Sequence, residues 1–154
     1  MKVHRVHSQA KVVCHQNDAS ILRNDYFEGC PYPHEWRTVE LELEQPATKG
    51  MDFYGFGERA LVCSDLAHLH CSPLHEEGEF FPVTINGIEG EYFLFHCTNC
   101  RSFLNPAKTV WETASSSSPI KRIKKYAFYR DRLDDGCLFK IPEDGAVGIF
   151  ALDH

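Results

Sequence analysis

The sequence lacks several features that would assign it to a familiar class of protein. It has no apolar run approaching the roughly 20 residues that a membrane-spanning helix requires. Its first ten residues, MKVHRVHSQA, include no apolar segment of the kind that directs secretion. A P-loop, a Gly-x-Ser-x-Gly nucleophile turn and a His-Glu-x-x-His motif are missing as well. We therefore expect a cytoplasmic protein with no membrane partner.

Positive charge is also scarce. The chain has 16 Lys and Arg against 22 Asp and Glu, which gives a net charge of −6. This balance disfavours general binding to nucleic acids or to anionic membranes. The 154 residues, 43% of them hydrophobic and 25% charged, are typical of one soluble globular domain. We expect a single domain over residues 1–154, with a β-rich part over 1–50 and a second part over 51–154.

Cysteine and histidine are plentiful, with seven and nine residues respectively. The odd number of cysteines argues against a fully paired disulfide framework. The one Cys-x-x-Cys motif is Cys97–Cys100, whereas a structural zinc site usually needs two ligand pairs. The nearest further candidates for zinc ligands are His68, His70, Cys71 and His75. We expect no cofactor, and we keep a small zinc-binding module and a Cys–His enzyme as alternatives.

Alternation of apolar and polar residues predicts most of the secondary structure. In 36–45, WRTVELELEQ, the residues Val39, Leu41 and Leu43 share one face of a half-buried strand. A hairpin is predicted from 80–85 and 92–97, because Asn86-Gly87 favours a tight turn. A last pair of strands is expected over 137–141 and 146–152.

A change of period predicts one principal helix. Leu61, Leu66 and Leu69, together with Val62 and Cys63, favour an amphipathic helix that ends near Cys71. Ser64 is a suitable N-cap residue, and Asp65 suits the first turn. The fold class expected from these elements is α+β, mainly an antiparallel sheet with one principal helix.

Two short motifs suggest ligands but lack the context that those ligands need. Residues 55–60, GFGERA, match a dinucleotide-binding pattern, yet the pattern requires a preceding buried strand and a parallel crossover. The one basic run contains Lys121, Arg122, Lys124 and Lys125. Because the chain is acidic overall, we interpret this run as a solvated strand edge rather than a nucleic-acid surface.

The second part of the chain resembles the eleventh-numbered immunity-protein family of bacterial polymorphic toxin systems, formerly a domain of unknown function. The similar stretches are the hairpin FFPVTINGIEGEYFLFHCTN over 80–99, the segment LVCSDL over 61–66, and LFKIPE over 138–143 followed by VGIFA over 147–151. The similarity covers residues 61–152 and makes residues 51–154 the immunity-protein-like part. It implies a cytoplasmic protein that binds and neutralises a cognate toxin and has no catalytic residues.

The resulting hypothesis is a non-enzymatic binding protein that covers a cognate toxin. Acidic side chains are the candidate contact groups, because charge complementarity steers protein association. The six candidates are Glu40, Glu42, Glu44, Glu76, Glu77 and Glu79. Under the zinc alternative, Cys97 and Cys100 are the metal ligands.

Overall fold

A computed structural model describes residues 2–8, 10–14, 22–45, 49–112, 122–133 and 138–153. Its strands are β1 (Lys2–Arg5), β2 (Lys11–Cys14), β3 (Val39–Leu43), β4 (Phe53–Phe56), β5 (Ala60–Ser64), β6 (Gly78–Ile85), β7 (Tyr92–Cys97), β8 (Val110–Trp111), β9 (Ile123–Lys125), β10 (Leu138–Phe139) and β11 (Phe150–Asp153). The α-helix of the described residues is α1 (Asp65–His70). The α+β class, with mainly antiparallel sheets and one small helix, is confirmed.

Six strands close into a barrel in the order β2-β3-β6-β7-β5-β4. Four of the six ladders are antiparallel, while β2 pairs with β4 and β3 with β6 in parallel. The barrel core contains buried side chains from all six strands, among them Val12, Leu41, Tyr54, Val62 and Leu94. These residues alternate with outward-facing ones, as the period of a strand requires.

The predicted β6–β7 hairpin is confirmed, although β6 begins two residues earlier than expected, at Gly78. Gly87 in its turn has φ +72°, a conformation that favours glycine. Val83 and Ile85 point into the barrel. Both faces of β7 are buried, because Phe95 and Cys97 on its outer face lie beneath a second layer.

The predicted start of the helix is wrong. Residues Ala60–Ser64 form strand β5, which pairs with β4 and β7. Val62 is buried inside the barrel and Cys63 is buried on its outer face. A strand covered on both sides reads as a continuous apolar run, which periodicity cannot distinguish from a buried helix segment.

Helix α1 follows β5 directly. The predicted N-cap is confirmed, because the Ser64 hydroxyl accepts a hydrogen bond from the Ala67 amide. Ala67 is the residue that the helix buries, whereas Leu66 and Leu69 are 60% and 65% exposed. The expectation that these two leucines belong to a buried helix face is therefore wrong.

A three-stranded sheet, in the order β1-β11-β10, covers part of the outside of the barrel. Ile149, just before β11, packs with Phe95 and Cys97 of β7. A further core lies behind this sheet, where Phe139 and Phe150 meet residues near the short β8–β9 pair. The last predicted strand pair corresponds to β10 and β11, but Cys137 lies outside the described residues.

The stretch 22–36, here called the closing segment, packs over the barrel interior. Phe27 is buried in the barrel core and contacts the rings of Phe56 and His96, with centroids 6.3 and 5.1 Å apart. Trp36 stacks on Phe81 at 4.5 Å. Aromatic rings thus fill this side of the barrel, near the turn that joins β4 to β5.

Candidate functional site

The predicted zinc ligands lie apart from the neighbouring histidines. Cys97 is fully buried on the outer face of β7, and Cys100 lies past the end of that strand. His68 stacks on Phe93, with ring centroids 4.2 Å apart. Phe93 precedes Cys97 by four positions, which is about 13 Å along a strand. Among the described residues, no three His, Cys, Asp or Glu side chains are arranged to hold a metal ion.

The six candidate glutamates do not form one surface. On β3, Glu40 lies opposite Thr84, and Glu42 borders a pocket beside the Asn86-Gly87 turn that follows β6. Glu79 lies at the other end of β6, about 20 Å away by strand length. Glu44 continues the β3 row, and its amide bonds to the Lys11 carbonyl.

The carboxylates of Glu79 and Glu77 form hydrogen bonds within the protein itself. The Glu79 carboxylate accepts a hydrogen bond from the Tyr32 amide at 2.8 Å, which attaches the closing segment to β6. The Glu77 carboxylate accepts a hydrogen bond from the Asn99 side chain. Glu76 is exposed. Of this second group, Glu76 is the carboxylate best placed for a partner.

A buried polar centre lies between the closing segment, the β4–β5 turn and the C-terminal sheet. Lys140 is fully buried, and its ammonium donates hydrogen bonds to the carbonyls of Phe27 and Arg59, both at 2.6 Å. Burial lowers the pKa of Lys140 to about 8, with the Cys97 thiol raising it and the Arg59 guanidinium lowering it further. The amine is therefore still mainly protonated at pH 7.

His96 is the second member of this centre. It is fully buried, and its Nε2 lies 2.6 Å from the Cys30 carbonyl. Burial lowers the pKa of His96 to about 4, although the Cys30 carbonyl raises it, and Lys140 lowers it further. The ring is thus neutral at pH 7 and donates from Nε2, while Nδ1 is buried and has no hydrogen-bond partner among the described residues.

Sequence reasoning did not single out either residue. Lys140 stands between two fully buried apolar residues, Phe139 and Ile141. In a strand, such a position normally belongs to the opposite, solvent-facing side. No local signal shows that this side also becomes covered, because the carbonyls that Lys140 reaches are 81 and 113 positions away in the sequence.

The thiols near Lys140 differ in exposure. Cys30 is exposed, Cys100 is half-buried and Cys97 is buried. Burial raises the pKa of Cys97 to about 12, although the Lys140 ammonium lowers it. Cys97 is therefore protonated at pH 7, and it packs as a small apolar side chain.

A polar cleft of about 580 Å³ lies between the β4–β5 turn, the C-terminal sheet and β9. Its charged groups contact one another. Arg5 pairs with Glu58 at 3.4 Å, and the Tyr126 hydroxyl donates to the Asp144 carboxylate at 3.4 Å. Burial raises the pKa of Asp144, while its hydrogen bonds and Arg5 lower it. These contacts join β1 to the β4–β5 turn and β9 to the residues before β11.

An exposed apolar patch lies where β4 and α1 meet. It consists of Met51, Phe53, Leu66 and Leu69, which are 48%, 42%, 60% and 65% exposed. Leu66 and Leu69 share one face of α1 because they are three residues apart. The Ser64 hydroxyl donates to the Asp52 carboxylate at 2.7 Å, which holds the start of β4 beside the first turn of α1.

Three exposed acidic residues adjoin the residues of this apolar patch along the chain or through a backbone hydrogen bond. Asp52 and Asp65 are exposed and adjoin its members in sequence. Glu91 is also exposed, and its carbonyl accepts a hydrogen bond from the Asp65 amide at 2.9 Å. An apolar centre with a charged border is the usual composition of a surface that binds another protein.

The two remaining sequence motifs lie in the β4–β5 hairpin and along β9. Residues 55–60 span the end of β4, a turn and the start of β5, so the glycines connect antiparallel strands rather than a strand and a helix. In the basic run, Arg122, Lys124 and Lys125 are exposed on or beside β9. Lys121 lies outside the described residues.

No family model matches this chain, and no curated protein matches it either. Within the described residues, no helix has the length and apolar character to cross a membrane.

Proposed function

We propose that this chain is a non-enzymatic binding protein of the immunity type, which neutralises a cognate toxin in the cytoplasm by covering its surface. The observation that carries the proposal is the exposed apolar patch, whose leucines project from the α-helix of the described fold. Two large aliphatic side chains that are more than half exposed at one corner cost solubility without adding to the core. A partner that buries them explains their presence.

The border of the patch indicates the chemistry of that partner. Asp52, Asp65 and Glu91 place negative charge around Leu66 and Leu69. A complementary surface therefore has apolar side chains at its centre and Lys or Arg at its rim. A rigid support favours such binding, because α1 is capped by Ser64 and packs through Ala67 on the outside of the barrel.

The resemblance of residues 61–152 to immunity proteins supports the same class of partner.

The proposal expects the reading frame next to this gene to encode a toxin, and binding to its product tests the proposal. We expect the purified chain to bind that toxin domain and to restore growth of cells that express it. The double variant Leu66→Asp/Leu69→Asp should weaken binding on the order of 100-fold, because both side chains lie at the centre of the proposed interface. The matched control is Val110→Asp, which alters an exposed aliphatic residue on β8. Equal affinity of the double variant and the wild type would rule out this patch.

A second double variant tests whether the exposed glutamates of β3 contact the toxin. Glu40 and Glu44 are exposed there. If the row contacts the toxin, Glu40→Lys/Glu44→Lys slows association and makes it less sensitive to salt. If the patch alone binds, this variant behaves like the wild type in both respects.

A further inference from the structure

Two cysteines, Cys30 and Cys100, lie on adjacent stretches of chain, where the closing segment contacts the residues that follow β7. Cys100 pairs with Lys140 through an isolated parallel bridge. Its side chain packs directly on Gly29, since a Cβ at Gly29 would lie 2.5 Å from the Cys100 Cβ and 3.0 Å from the Cys100 Sγ. Cys30 is the next residue of the closing segment. The Cys100 sulfur therefore faces the short stretch of backbone that carries Cys30.

Neighbouring contacts hold this stretch in place. Nε2 of His96 donates to the Cys30 carbonyl at 2.6 Å, and Lys140 donates to the Phe27 carbonyl at 2.6 Å. Burial raises the pKa of Cys100, the Lys140 ammonium lowers it, and the nearby Cys30 thiol raises it again.

The three cysteines of this region differ in their access to solvent. Cys30 is exposed and Cys100 is half-buried, whereas Cys97 is completely buried. An oxidant in solution therefore reaches Cys30 first. Cys100 is half-buried and packs on Gly29, the residue before Cys30, while Cys97 lies under the C-terminal sheet beside Ile149.

We propose that Cys30 and Cys100 form a reversible disulfide that fastens the closing segment to the chain leaving β7. A hydroperoxide supplies the oxidising equivalents. The Cys30 sulfur attacks the peroxide and becomes a sulfenic acid, and the peroxide oxygen that leaves departs as water or an alcohol. The Cys100 sulfur then displaces the hydroxyl from Cys30 and forms the S–S bond, with release of a second water. A dithiol reductant reverses the linkage by thiol–disulfide exchange.

Peptide mapping after mild oxidation tests this proposal. The wild type is treated with hydrogen peroxide, its remaining thiols are alkylated, and it is digested without reduction. We expect a peptide that links Cys30 to Cys100, a mass decrease of about 2 Da for the intact chain, and reversal by dithiothreitol. The midpoint of thermal unfolding should rise by about 5 °C, because the link closes a long loop.

Variants separate this pair from the other thiols. Cys30→Ser and Cys100→Ser should each abolish the linkage and the thermal shift. Cys71→Ser should keep both, and it serves as the matched control because Cys71, like Cys100, is a half-buried cysteine. A Cys97–Cys100 or Cys63–Cys71 linkage in place of the expected one, or oxidation of Cys30 without a link, would overturn the proposal. The wild-type map decides the matter even if a variant fails to fold.

Discussion

His96 shows how strongly one position depends on its surroundings. On β7 it faces the barrel interior, where Phe27 contacts its ring and the closing segment supplies a single acceptor, the Cys30 carbonyl. Water is excluded from this position, so protonation of the ring is unfavourable. A histidine that would be half-protonated near pH 6.5 in a flexible chain is therefore held neutral in the folded protein.

This burial predicts a loss of stability in acid. The pKa of His96 is about 4 in the folded chain against an ordinary value of 6.5. Between these values the unfolded chain binds more protons, so the free energy of unfolding falls as the pH falls. The contribution of this group decreases by about 3 kcal/mol from pH 7 to pH 4. In His96→Gln that contribution is absent, since glutamine does not titrate and can still donate to the Cys30 carbonyl.

Urea unfolding at pH 7 and pH 4 measures the effect. The stability difference between the wild type and His96→Gln should shrink by about 3 kcal/mol on acidification. The control replaces an exposed residue that does not titrate: Val110→Thr should differ from the wild type by the same amount at both pH values. A difference for His96→Gln that does not change with pH would contradict a neutral, buried ring.

At the scale of elements, helix α1 depends on the residue that precedes it, the N-cap Ser64. It has six residues, too few to be stable through backbone hydrogen bonds alone. Ser64 ends β5 and caps the helix, and its hydroxyl also donates to Asp52 before β4. The Ser64 side chain therefore fixes the position of α1, which carries the leucines of the apolar patch, relative to the start of β4.

Replacing this cap should have a measurable cost. Ser64→Ala removes the acceptor for the Ala67 amide and the donor to Asp52, so we expect it to lower the free energy of unfolding by about 1–2 kcal/mol. Ser64→Thr retains the hydroxyl and should stay within about 0.5 kcal/mol of the wild type. Urea unfolding compares the three proteins. Equal stability of the alanine and threonine variants would show that the cap is unimportant for this corner.

At the scale of the whole molecule, Lys140 connects three distant parts of the chain. It belongs to the C-terminal sheet region, and its ammonium bonds to the closing segment and to the β4–β5 turn. Burying a cation is unfavourable unless good acceptors surround it. The Phe27 and Arg59 carbonyls accept hydrogen bonds from the ammonium, and each carbonyl thereby gains a donor.

Removal of this connection should destabilise the fold. Lys140→Met keeps most of the side-chain length but leaves the Phe27 and Arg59 carbonyls without their donor, so we expect a loss of about 3 kcal/mol in the free energy of unfolding. Lys125→Met, at an exposed position on β9, should change it by less than about 0.5 kcal/mol. Urea unfolding measures both. An unchanged or more stable Lys140→Met protein would mean that the cost of burying the charge exceeds the value of its contacts.

The sequence by itself determined the elements whose evidence is local. The alternation in β3, the Asn86-Gly87 turn of the β6–β7 hairpin, the Ser64 cap and the α+β class all follow from residues that are neighbours in the chain. Local steric preferences and side-chain periodicity act over a few residues, so they can be recognised without knowing the rest of the fold.

Only the tertiary structure decided which faces become covered. Barrel closure pairs β2 with β4 and β3 with β6 in parallel, and it buries both sides of β5, so that a strand resembled the start of a helix. The same packing left Leu66 and Leu69 exposed and enclosed Lys140 and His96. Burial is set by segments that are distant in sequence, because the surface that covers a residue comes from another part of the chain. No periodicity within one segment contains that information.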